Sequence, residues 1–213
     1  MSVNAISAQG STVHIGTGTG GAKTITAISK AFRAEVTSNA HGLAKGDRVT
    51  FASVVGMTDI NGLVGTVIDV GTNVFVVDID SRAFTTYTSG GTATPVTYTE
   101  ILEVKSFNPG GASVSDIDVT DLKSTAKEFR PGLVDNGEFS MDINYLSTDA
   151  GQAALKTCFE ASKVKAFKVT DPAGKIYTFL AYVKNFPAIP SGAVDGVLLG
   201  NITLRISGAV TLS

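Results

Sequence analysis

Gly137–Tyr145 reads GEFSMDINY, and its alternation decides the fold class. Phe139, Met141, Ile143 and Tyr145 fall on one side of an extended chain, and Ser140, Asp142 and Asn144 on the other. Successive side chains of a strand point to opposite faces, so this segment buries one face and wets the other. Gly196–Leu212 repeats the pattern. Leu198, Ile202, Leu204 and Ile206 are expected in the core, and Asn201, Thr203, Arg205 and Ser207 in water. Val164–Thr170 and Lys175–Phe186 flank the turn sequence Asp171-Pro172-Ala173-Gly174 and predict a hairpin. Tyr98–Phe107 predicts a further strand, while Asn108–Asn136 is a long segment with little periodicity. Thr148–Ser162 is the one convincing helix: Ser147 or Thr148 caps it and Asp149 sits near its positive end. Ala154, Leu155, Cys158 and Phe159 form its apolar stripe.

The first half of the chain is built from shorter pieces. Ser11–Ile15 (STVHI) predicts an opening strand, and residues 16–24 (GTGTGGAKT) a glycine-rich turn or flexible linker. Short strands are expected at Ala34–Thr37, Arg48–Phe51, Gly65–Val70 and Asn73–Val77, joined through HGLAKGD and DVGTN turns. Thr85–Pro95 (TTYTSGGTATP) is a second glycine-rich connection. The expected class is mainly β with one flanking helix. Residues 25–96 form a small all-β module with a linker on either side, inserted into a discontinuous domain of residues 1–24 and 97–213.

Composition narrows the function. Of 213 residues, 43% are apolar and only 17% charged, below the usual quarter for soluble domains, which leans towards assembly. The net charge is −2 and there is no basic stripe, so gripping of nucleic acid is not expected. The single cysteine, Cys158, forms no intrachain disulfide, in keeping with a reducing compartment or indifference to redox state. MSVNAISAQGST lacks a basic stretch followed by an apolar core, so no signal peptide is expected. No apolar run approaches the roughly 20 residues of a membrane-spanning helix.

Catalytic and ligand-binding signals fail on context. Gly16–Gly21 matches GxGxxG, but Lys23-Thr24-Ile25-Thr26 then reads as strand, where a dinucleotide site needs a helix. The same stretch misses a P-loop because Ala22 stands where lysine is required. His14 and His41 lack metal-pair spacing; His14 belongs on the wet face of a strand and His41 in a turn. Asp116, Asp118 and Asp121 cluster without the glycine and glutamate of an EF-hand, and Asp78 and Asp80 read as solvent-facing. No GxSxG elbow occurs, and Cys158 on an apolar stripe favours an inert thiol. No catalytic residue, metal site or cofactor is expected.

A resemblance joins these readings. Tyr98–Gln152 contains EVKSF, then DIDVTDLKSTAKEFRPGLVDNGE, then the alternating strand, then STDAGQAAL opening the helix. This block resembles the tail tube (major tail) proteins of lambda-like, long-tailed, non-contractile bacteriophages, the siphophages. QGSTVHIG resembles that family's opening strand. Residues 25–96 resemble a small β module found inserted in phage structural proteins and akin to a domain of ubiquitin-activating enzymes. It is carried by Ala40-His41-Gly42-Leu43, Gly46-Asp47, Gly56-Met57, Asn61-Gly62 and Tyr87–Gly91.

The family implies a sandwich or barrel-like β fold with a flanking helix, built into hexameric rings that stack helically into a tube for DNA. It implies a virion tail protein, made in the host cytoplasm, whose partners are itself, a tape measure protein, a tail terminator and distal tail or baseplate proteins. DNA passes without specific binding and no membrane is bound. The family places Asn108–Asn136 against an adjacent ring, and Asp116, Asp118, Asp121, Lys123, Lys127, Glu128 and Arg130 are the contacts expected there. Ser140, Asp142, Asn144, Asn201 and Thr203 are expected to line the lumen, where Arg205 needs a carboxylate partner. The module is expected on the exterior. A tail-tip adhesin or capsid decoration protein binding host glycans is the competing reading, weakened by the absence of Trp and the five Tyr.

Overall fold

The two segments of clearest alternation lie side by side. Glu138–Asn144 pairs antiparallel with Leu199–Leu212, from Glu138↔Arg205 to Asn144↔Leu199. Phe139 then stands opposite Leu204 and Met141 opposite Ile202, so both strands turn their apolar side chains to one side. The structure is a computed structural model that describes residues 7–213. The expectations for residues 1–6 lie outside the described residues.

In chain order the strands are β1 (Thr12–Thr19), β2 (Lys23–Thr24), β3 (Ala27–Ile28), β4 (Glu35–Thr37), β5 (Arg48–Ala52), β6 (Val64–Val70) and β7 (Val74–Val77). Then come β8 (Thr92–Glu100), β9 (Val104–Pro109), β10 (Ser113–Asp118), β11 (Phe129–Asp135) and β12 (Glu138–Asn144). The helix α1 (Ala150–Glu160) precedes β13 (Lys165–Thr170), β14 (Ile176–Asn185) and β15 (Leu199–Leu212).

One sheet runs β9-β12-β15-β14-β13-β1-β8, with neighbours antiparallel. Both sides of it feed one core, Phe107 from β9 and Val13 and Ile15 from β1 beside β8, so the sheet curls round that core like an open barrel. Phe139, Phe179 and Phe167 pack in series through its middle, with centroids 5.7 Å apart in the tilted first pair and 5.8 Å in the stacked second. α1 adds Leu155 and Cys158. A second core, around Phe51, Phe75, Met57 and Ile60, belongs to the smaller strands. The two cores share β8: Thr92–Pro95 pairs with β5, and Val96–Glu100 pairs with β1.

That sharing corrects the linker reading. Residues 16–19 continue β1, and the Gly20 N–H donates to the Pro95 carbonyl at 2.7 Å. The second expected linker gives up its end, Thr92–Pro95, to β8. The predicted strand Tyr98–Phe107 is two strands, broken at Ile101–Glu103, where Glu103 adopts φ +62°. Asn108–Asn136 is no irregular loop: β10 and β11 form a hairpin arm with its own two-stranded sheet.

The helix is shorter than expected and is capped by Asp149, whose carboxylate accepts the Gln152 N–H at 2.7 Å. Asp149 also accepts the Leu102 N–H, so the cap ties α1 to the β8–β9 connection as well. Phe159 leaves the stripe: it is 40% exposed and stacks on Phe186 instead. Leu198 and Tyr145 fall just outside their strands, and Leu198 is exposed.

Candidate assembly surfaces

The face of β12 and β15 turned away from the core is a hydrogen-bonded polar surface. Register sets Ser140 opposite Thr203 and Asp142 opposite Asn201, which brings together the expected lumen residues of the two strands. Asp142 is the hub. One carboxylate oxygen accepts from Asn201 Nδ2 at 2.8 Å and the other from Ser106 Oγ on β9 at 2.8 Å. These two donors, Asn201 first, hold its carboxyl below the usual carboxylate range. Asn144 lies at the strand end, where its side-chain amide donates to Glu103 at 2.8 Å.

Two cations on this face have carboxylate partners. Arg205 donates to the Asp135 carboxylate. Asp135 is held low first by the Gly137 N–H and then by Arg205. Lys184 of β14 pairs with Glu138. Ser106, Glu138, Lys184 and Asp135 were missed in the sequence. The break at Glu103 hides the phase of β9, and partner strands are invisible without the register.

The β10–β11 arm gathers the other candidates. Ser113 pairs with Asp135 at its base and Asp118 with Phe129 near its tip, across a bulge after Val114. Two of the aspartates have local work. Asp118 accepts the Thr120 N–H at 2.9 Å, and Asp121 accepts the N–H groups of Lys123 and Ser124 at 2.7 and 3.0 Å. Thr120 Oγ1 receives the Glu128 N–H at 3.0 Å and closes the tip. These are Asx and Ser/Thr turns that shape the hairpin end. Asp116, Lys123, Lys127, Glu128 and Arg130 are exposed and form no salt bridge among the described residues. Sequence reasoning passed over the arm's apolar side chains. Val114, Ile117, Leu122, Phe129, Leu133 and Val134 are all exposed, Leu122 and Leu133 almost completely.

The remaining candidates are structural. His41 is buried, accepts the Leu43 N–H on Nδ1 at 3.0 Å and donates from Nε2 to the Gly71 carbonyl at 3.0 Å, which fixes its tautomer. Burial, then the Lys168 cation, pushes the His14 imidazole down. Burial pushes the Cys158 thiol up. Asp78 caps the Thr66 N–H and Asp80 forks onto Arg82. The described residues contain no cluster of His, Cys, Asp and Glu of metal-binding size, and no helix long and apolar enough to cross a membrane.

Comparison with known proteins gives two family matches. Residues 34–97 match the ubiquitin-activating enzyme E1 FCCH domain. Residues 84–211 match the lambda phage tail tube protein. No curated protein matches the chain. Similar solved structures include a chain from the virion of a native gene transfer agent particle, 17% identical, covering 55% of this chain and 88% of that one, TM-score 0.46. Another is from the tail of an empty gene transfer agent particle, 18% identical over 55% and 86%, TM-score 0.45. Hcp1 from Salmonella typhimurium is 14% identical over 78% and 91%, TM-score 0.32. The tail tube match takes in the arm, the polar face and the helix, more than half of the sequence, and the chain belongs to the lambda phage tail tube protein family.

Proposed function

We propose that this phage tail protein polymerises: six copies close a ring, rings stack helically, and the tube conducts DNA from the virion into the host. The observation that carries the reading is the β10–β11 arm. A lone two-stranded hairpin is marginal in water, and this one exposes Phe129, Leu122, Leu133 and Val134 away from either core. A neighbouring copy in the next ring would cover it, with Lys123, Lys127, Glu128 and Arg130 as polar contacts. Contacts of this kind are heterologous, and they close rings or propagate filaments.

β9 ends the sheet and offers an unpaired edge to a neighbour in the same ring. The polar face suits the lumen because Arg205 and Lys184 each have a carboxylate partner, which leaves little net charge to displace counterions from DNA. The module of residues 25–96 is carried on β8 and touches β15 at Thr211, eight residues beyond Thr203, so a lumen at Asn201 and Thr203 puts it at a distance from the channel. Exterior display follows. The tape measure protein inside, and a terminator and distal tail proteins at the ends, are the partners such a tube needs. Synthesis belongs in the host cytoplasm and residence in the virion tail.

Negative-stain electron microscopy of the purified protein at high concentration, beside its sedimentation profile, tests the reading. Hollow tubes or stacked sixfold rings are expected. A discrete oligomer that binds bacterial cells and never polymerises would overturn it in favour of an adhesin.

A further inference from the structure

We infer that the module built on the second core is clamped to the outside of the barrel sheet, as a rigid part of the subunit instead of a tethered appendage. The covalent joint alone does not hold it. The two bodies are connected by a narrow ribbon in which β1 pairs with β8 at Gly18↔Thr97 and Thr19↔Val96, before β2 and β5 flank β8 at Ala93. Two-stranded ribbons twist and bend more than wider sheets.

A second set of contacts, remote in sequence, stops that bending. Lys168 of β13 reaches Asp47 of the module, Nζ to Oδ1 3.3 Å, with the two side chains only 16% and 19% exposed. The same ammonium lies 4.5 Å from the centroid of the Tyr98 ring on the shared strand. A charge so far removed from water is costly without a partner, so Lys168 favours the arrangement in which Asp47 sits beside it. Thr178 of β14 is fully buried, and its Oγ1 donates to the Gly46 carbonyl at 3.2 Å. Gly46 lies at φ +80°, and a Cβ there would stand 2.4 Å from Ile176 Cγ2. The module's backbone therefore rests directly on β14.

A further contact joins Thr211 of β15 to Asp78 at 3.0 Å. The Gly46-Asp47 turn cannot yield independently, because Gly46 N and Asp47 O both pair with Val67 of β6 at 2.8 Å. The clamp thus transmits the orientation of the barrel sheet to the whole module. It acts within a single chain and stands or falls independently of polymerisation.

Spin labels at Thr72→Cys in the module and Thr148→Cys in the barrel domain, in a Cys158→Ala background, read the geometry by double electron–electron resonance. A single narrow distance distribution is expected. Lys168→Met and, separately, Asp47→Asn should each lose it, giving a broad distribution, and the double variant should be no broader than either. Asp47→Asn, nearly isosteric, supplies the comparison if circular dichroism shows Lys168→Met unfolded. A broad distribution in the starting protein, or a narrow one that survives the substitutions, overturns the clamp.

Discussion

Replacing Val119–Glu128 with an Asn-Gly turn is expected to abolish tube formation while leaving the subunit folded. The replacement joins Asp118 to Phe129, which already pair, through a two-residue turn suited to a hairpin. It removes Leu122, Lys123, Lys127 and Glu128 together. Neither core contains a residue between Gly110 and Asn136, so the fold loses no buried side chain. A polymer would lose much more. Each large apolar side chain covered by a neighbour is worth roughly 1.5–3 kcal/mol, and the loss recurs at every subunit along the tube. Circular dichroism and thermal melting should match those of the parent protein. Sedimentation and microscopy should show no polymer at concentrations where the parent assembles. Tubes of normal length from the shortened protein would remove the arm from the contact.

Gly151→Ala is expected to be among the most damaging single substitutions in the chain. Gly151 opens α1 directly against the β8–β9 connection. A Cβ there would lie 2.2 Å from the Glu100 carbonyl oxygen and 2.7 Å from the Ile101 Cα, both backbone atoms. The helix cannot slide away cheaply, because its neighbours are fastened. Gln152 is buried, accepts the Leu146 N–H at 2.9 Å and donates to the carbonyls of Leu102 and Asn144 at 3.2 and 3.0 Å. Asp149 holds the Gln152 and Leu102 N–H groups. Relief of the overlap strands several of these groups, so the expected loss is about 3 kcal/mol or more in urea unfolding. A loss below about 1 kcal/mol would mean that the helix entry is loosely held.

Part of this was legible and part was not, for physical reasons. β12 and β15 declare themselves because one face meets a core and the other does not, which writes a period of two into Phe139–Ile143 and Ile202–Ile206. The polar residues of both strands could be assigned to one surface for the same reason. β1 beyond Ile15 is written in Gly and Thr, which carry no hydrophobic period, and its strand character comes from its neighbours. The arm has both faces exposed in a single subunit, so nothing in Asp116–Arg130 separates inside from outside, and a hairpin reads as a loop. The Asp149 cap was displaced by one or two positions because Ser147, Thr148 and Asp149 are all good caps. The hydrogen bonds that Asp149 accepts from Gln152 and Leu102 distinguish it in the fold. The Asp47–Lys168 pair spans 121 positions and could not be read from either segment alone.

Helical reconstruction of the assembled tube by electron cryomicroscopy tests the central claim most directly. The expected result has sixfold rings with Asp142, Asn201 and Thr203 facing the channel, and each β10–β11 arm lying on a subunit of the adjacent ring. A map in which those side chains face the tube exterior, or the arm folds back on its own subunit, would contradict it.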